Sequence, residues 1–122
     1  MDKVILNLIK LQNQLRFLHW QTTSFAEHKA FGKGYDNLDG LLDKLVETYQ
    51  GKHGRIIFPQ GAGISLYNYN EIDIKGILSE VTEYLSTAFN SNVDSEKDTD
   101  CLNIRDEMLS ELNTLKYLLT LQ

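Results

Sequence analysis

The sequence predicts an all-α fold, a four-helix bundle, and three observations carry that reading. Apolar residues return every three or four positions in four separate segments, the spacing of a helix face rather than the alternation of a strand. Three of those segments open on residues that cap helices. The one long interval without the period, Lys52 to Tyr69, holds the single proline and three of the eight glycines.

The first seam is Val4, Leu8, Leu11, Leu15 and Leu18, and it predicts a helix from about Asp2 to Thr22. Ser24 followed by Glu27 is a capping box, in which hydroxyl and carboxylate each satisfy a backbone N–H at a helix start. The second seam runs through His28, Phe31, Tyr35, Leu38, Leu42, Leu45 and Tyr49, with Gly51 as a left-handed stop. Gly32, Gly34 and Gly40 lie inside it, each costing roughly 0.8–1 kcal/mol against alanine. Tertiary burial, with close helix approach at the glycines, is expected to offset them.

After the long connection, with a short strand or helical turn at Ile56 to Phe58, Asn70 caps a third helix with Asp73 at its third position. Its seam is Ile74, Leu78, Val81 and Leu85, and it is expected to reach about Phe89. An acidic loop from Ser91 to Asp100 ends in the capping candidates Asp98 and Thr99; Ile104, Met108, Leu112, Leu115 and Leu119 give the fourth seam. Two short-linked helix pairs joined by one long crossover give ferritin-like connectivity, although periodicity alone also admits an up-down-up-down bundle. Trp20, Phe31, Leu38, Leu42, Leu78, Leu85, Met108 and Leu115 are the expected core.

Composition narrows the function. A chain of 122 residues makes one domain. Twelve basic against seventeen acidic residues leave a net charge of −5, a field that repels phosphate backbones, so nucleic-acid binding is not expected. No apolar run has the length of a membrane span, and polar residues interrupt the N-terminal stretch where a secretory signal would be apolar; a cytoplasmic protein is expected. The single Cys101 excludes an intrachain disulfide and a thiolate metal cluster. No serine stands in a nucleophile elbow, and Gly61-Ala62-Gly63 lacks the remainder of a phosphate-binding loop.

What remains is a polar stripe. At ~100° per residue, His28, Gly32, Asp36, Asp39, Asp43 and Glu47 share a sector about 100° wide on the second helix, beside its apolar seam. The plain alternative is a solvated acidic face. His19 ends the first helix, and a tight turn over Thr22 to Ser24 brings it near His28. Asp43 and Glu47 are one turn apart, but Asp43 lies 15 residues beyond His28, ~22 Å along a helix. One chain cannot unite the two pairs; a two-fold dimer with antiparallel second helices can, so a homodimer or higher homo-oligomer is expected.

At these residues the sequence resembles the Dps proteins, the miniature ferritins. The shared pattern is His19-Trp20 closing the first helix, His28-x-x-Phe31 opening the second, and then Asp43 and Glu47 at steps of 15 and 19 residues from His28. It is similar in particular to small Dps-like proteins encoded by bacteriophages and other viruses. The resemblance implies a non-haem iron site between subunits, with His19 and His28 from one chain, Asp43 bridging from the mate and Glu47 completing it. It implies oxidation of Fe(II), with iron storage or detoxification as the outcome. The sequence departs from the family in having Gly32 where a carboxylate is usual and a shorter step between the two histidines. Those departures favour the alternative, a helical interaction or regulatory module that has lost metal chemistry.

Overall fold

The computed structural model describes residues 1–121. The four helices are α1 (Asp2–Gln21), α2 (Phe25–His53), α3 (Ile74–Ser86) and α4 (Thr99–Leu118), with 3₁₀ turns at Tyr69–Glu71 and Ala88–Asn92. There is no strand among the described residues. None of the described helices is long and apolar enough to cross a membrane.

Side-chain pairs fix the directions. Gln12 donates to Asp39 at 2.7 Å while His19 meets His28, so α1 and α2 are antiparallel. Asn37 donates to Glu111 at 2.8 Å and His53 meets Asp98, so α4 is antiparallel to α2. The Met1 ammonium donates to Asn92 at 2.8 Å, beyond the end of α3, and Gln14 meets Tyr67 just before it, so α3 also opposes α1. The order is therefore up, down, down, up, the one-crossover arrangement of ferritin-like bundles. The crossover joins two parallel helices and must return along α2, whose 29 residues span ~43 Å at 1.5 Å per residue.

Two glutamines pin that crossover. The buried amide of Gln14 donates to the Tyr67 carbonyl at 2.8 Å and accepts from the Tyr67 N–H at 2.9 Å. Gln21, about two turns later, donates to the Asn68 side-chain oxygen Oδ1 and accepts from the Tyr69 N–H. Each satisfies backbone groups that a chain lying on a helix would otherwise leave unpaired.

The core is one cluster of the four seams, with Leu15, Leu18, Phe31, Leu45, Leu78, Leu85, Phe89, Met108 and Leu115 fully enclosed. Leu38 and Leu42 are also buried, as expected. Gly34 explains one helix glycine: a Cβ there would stand 3.1 Å from Leu115 Cδ2, so α2 and α4 approach closely because the side chain is absent.

Several expectations are corrected. Trp20 is 64% exposed, because it falls off the Val4–Leu18 seam and stacks on Phe17 instead, ring centroids 6.0 Å apart. The second helix does not stop at Gly51. It continues to His53, held by the bonds of Lys52 and His53 to the start of α4, and ends where Gly54 turns left-handed at φ 81°. Only half of the capping box forms: Ser24 Oγ accepts from the Glu27 N–H, while the Glu27 carboxylate turns away to other partners. Asp73 rather than Asn70 caps α3, accepting from the Gly76 N–H, because Asn68 and Glu71 close their own turn first and Ile72 is extended. The third helix ends at Ser86 and tightens into the 3₁₀ turn that buries Phe89. Ile56 to Phe58 forms neither strand nor helical turn.

Candidate metal centre

His19 lies in the last turn of α1 and His28 in the first turns of α2, and the three-residue link between the helices stacks their rings. The centroids are 3.8 Å apart and the planes 16° from parallel. His19 Nδ1 bonds the His28 carbonyl at 2.7 Å, and His28 Nδ1 bonds the His19 carbonyl at 2.8 Å. A carbonyl only accepts, so both Nδ1 atoms carry protons, and each neutral ring keeps its lone pair on Nε2. This is the backbone-carbonyl orientation found behind metal-ligating histidines. Tyr35 meets the His19 ring edge-on at 5.3 Å, and Phe25 stacks on His28 at 6.4 Å.

Gly32 is part of this packing. A Cβ at Gly32 would lie 2.9 Å from His19 Cε1, closer than any ordinary contact. The imidazole of His19 therefore fills the space that a side chain one turn after His28 would need. Glu27 supplies no oxygen in its place. Its carboxylate accepts from the Thr22 hydroxyl at 3.1 Å and from the Tyr69 hydroxyl at 2.8 and 3.0 Å, an engagement that raises the Tyr69 pKa above its ordinary value.

Asp43 and Glu47 are exposed on the outward face of α2, far along the helix from His28. Within one chain, the described residues contain no group of three or more His, Cys, Asp or Glu placed to hold a metal ion. The structure thus brings His19 and His28 together and keeps Asp43 and Glu47 apart from them. Imidazole nitrogen with carboxylate oxygen suits iron or zinc. The stacking sets a condition, however. Lone pairs lie in the ring planes, and planes this parallel and this far apart cannot both aim at one ion ~2.1 Å from each nitrogen. One ring must turn before the pair chelates.

A second cluster at the opposite end of the bundle escaped sequence reasoning. Asp98 is 1% exposed. Its carboxylate accepts from the Asp94 N–H at 2.7 Å and His53 Nε2 at 2.9 Å, and pairs with Lys52 at 3.2 Å. The Asp94 N–H first, and then His53, hold its pKa at about 2. Beneath it, burial pushes the Cys101 thiol up, which makes it a poor nucleophile. Nothing near Asp98 in the chain announces this role, since His53 is 45 residues away.

No curated protein and no solved structure matches the chain. Residues 19–119 match a family described as a family of unknown function (DUF5856). That span starts at His19 and takes in both histidines, Asp43, Glu47 and the whole of α2, α3 and α4, so the chain belongs to this family.

Proposed function

We propose that this chain is a Dps-like iron-binding protein in which two copies pack α2 against α2, and Fe(II) is the substrate of the shared face. His19 and His28 of one copy and Asp43 and Glu47 of the other are its ligands. The observation that carries this reading is the histidine pair, two imidazoles brought together with both Nδ1 protons tied to backbone and both Nε2 atoms left for a ligand. Asp43 and Glu47 support it, as exposed carboxylates one turn apart with no hydrogen bond or ion pair among the described residues.

The charges on α2 favour the antiparallel pairing. Lys29 and Lys33 are exposed in its first half, Asp43 and Glu47 in its second. When α2 meets its mate about a two-fold axis near Leu38, Lys29 falls opposite Glu47 of the partner subunit and Lys33 opposite Asp43 of the partner subunit. Such an isologous contact is self-complementary. The same register carries those carboxylates to the turns that bear His28. There two Fe(II) ions each give one electron to a peroxide, which takes up two protons and leaves as two waters. The ligands' part is to hold the ions and neutralise their charge.

Gly32 and the lysines favour a second reading. His19 fills the place of a further ligand, and Lys29 and Lys33 themselves neutralise the carboxylates that arrive. On that reading the bundle is an interaction module without metal chemistry. Fe(II) titration of the purified dimer separates the two. The iron reading expects stoichiometric binding that is lost in His28→Ala, and oxidation that is slowed sharply in Asp43→Asn while the dimer persists. A folded dimer that neither binds Fe(II) nor oxidises it faster than buffer leaves the module.

A further inference from the structure

Two apolar features on other parts of the molecule are complementary, and from them we infer that the crossover segment Arg55-Ile56-Ile57-Phe58 of one copy seats in the groove between α1 and α3 of a second copy. The groove has a volume of about 280 Å³ and apolar walls of Leu8, Leu11, Ile72, Ile77, Val81 and Tyr84. Its end is closed by Tyr67, held there by the two bonds from Gln14. The segment is the opposite shape. Ile57 is 81% exposed and Phe58 also stands out from the surface, although both are large and apolar.

The segment is presented rather than loose. The Ile56 N–H donates to Gln50 Oε1 at 3.0 Å and its side chain packs on the core, while the turn from Pro59 to Ala62 closes the other side. A segment already held in shape loses little entropy on docking. Charge supplies the register. Arg55, next to the apolar pair, has no ion-pair or hydrogen-bond partner among the described residues, and neither has Glu80 at the mouth of the groove. The other cation there, Lys10, is turned over the Tyr67 ring at 5.9 Å. Arg55 thus meets an unpaired carboxylate as Ile57 and Phe58 enter the groove. The contact joins different patches on the two copies, so it can extend an α2-paired dimer into a larger assembly. It uses none of the four proposed ligands and stands independently of the iron reading.

The test uses the full-length protein and positions on the surface. Gln60→Cys, just beyond the segment, and Asn7→Cys, exposed on the groove wall, leave Ile57, Phe58, Arg55 and Glu80 in place and are mixed under oxidised glutathione; the native Cys101 is buried and does not compete. The expected result is a disulfide-linked heterodimer in several-fold excess over the homodimers that either variant forms alone. In sedimentation, Ile57→Asp is expected to lose the largest species while keeping wild-type helicity. Equal yields of homo- and heterodimer, or an unchanged mass distribution in Ile57→Asp, would overturn the inference. Asp43→Asn serves as the control, losing Fe(II) oxidation and leaving the cross-link intact.

Discussion

The two ends of the bundle each hold histidine against a neighbouring helix, and they do so with opposite chemistry. At the α1–α2 turn, His19 and His28 bond neutral backbone carbonyls and each other's faces, with no carboxylate among their hydrogen-bond partners in the described residues. At the far end, His53 bonds an enclosed carboxylate that also takes a lysine and a backbone N–H. A carbonyl fixes a tautomer without adding charge and leaves a nitrogen for a ligand. A buried carboxylate demands compensation, and its partners are committed to supplying it. The first arrangement keeps options open; the second spends them on joining α2 to α4.

The largest break in that contrast is expected from Phe31, which is fully buried on the core face of the same turns of α2 that carry His28. Phe31→Ala is expected to cost about 3–5 kcal/mol by denaturant unfolding, the transfer loss plus the cavity left behind. A loss below about 0.5 kcal/mol, the surface level, would remove that face from the core. Gly32→Ala comes next. Its Cβ meets His19 Cε1 at 2.9 Å; overpacking costs about 1–3 kcal/mol and the helix propensity gained by alanine returns about 0.8–1 kcal/mol, so a net loss of about 0–2 kcal/mol is expected. The ring has to move, and the two histidine NMR spectra should lose their stacking shifts. Unchanged stability and shifts in Gly32→Ala would show that the rings are loosely held.

How much of this was legible follows the range of each interaction. The four seams name the core because burial repeats with helix geometry, and Phe31, Leu38, Met108 and Leu115 are where periodicity puts them. Trp20 failed because a tryptophan beside a seam is not on it. The pairing of His19 with His28 was legible, being a local consequence of a short turn between two helices. That His19 would fill the space at Gly32 was not, since a glycine in a helix marks an absence without naming what occupies it. Asp98 read as a cap because its partners, His53 and Lys52, come from another helix. The Gln14 and Gln21 anchors were hidden for the same reason.

Acid sharpens the contrast between the ends. Asp98 titrates at about 2 in the folded protein against 3.8 for an ordinary aspartate. A carboxyl with a lowered folded pKa contributes stability that is present above the unfolded value and is lost as pH falls through the folded one. Unfolding followed from pH 5 down to pH 2 is therefore expected to lose stability mainly between about 4 and 2, with a shallower slope in Asp98→Asn. An identical slope in that variant would mean that the far-end cluster is not what acid breaks. Iron binding at the histidine end is expected to weaken as protons compete with the metal for the Nε2 lone pairs, because a protonated imidazole cannot ligate.

The smallest effect tests the strap that crosses the histidine end. Tyr69 donates its hydroxyl to Glu27, and the carboxylate raises the tyrosine pKa because ionising the phenol would place two negative charges together. A raised folded pKa gives stability that is complete below the ordinary tyrosine value near 10 and fades as pH rises through the folded one. Tyr69 is partly open to solvent, so screening keeps the bond weak, and Tyr69→Phe is expected to cost only about 0.5 kcal/mol at neutral pH. The more telling readout is alkaline. Wild type is expected to lose that small margin above pH ~10, while Tyr69→Phe, which has no proton to lose, shows no such step. If the two curves stay parallel through that range, the Glu27 carboxylate is held by Thr22 alone and the crossover rests on Gln14 and Gln21.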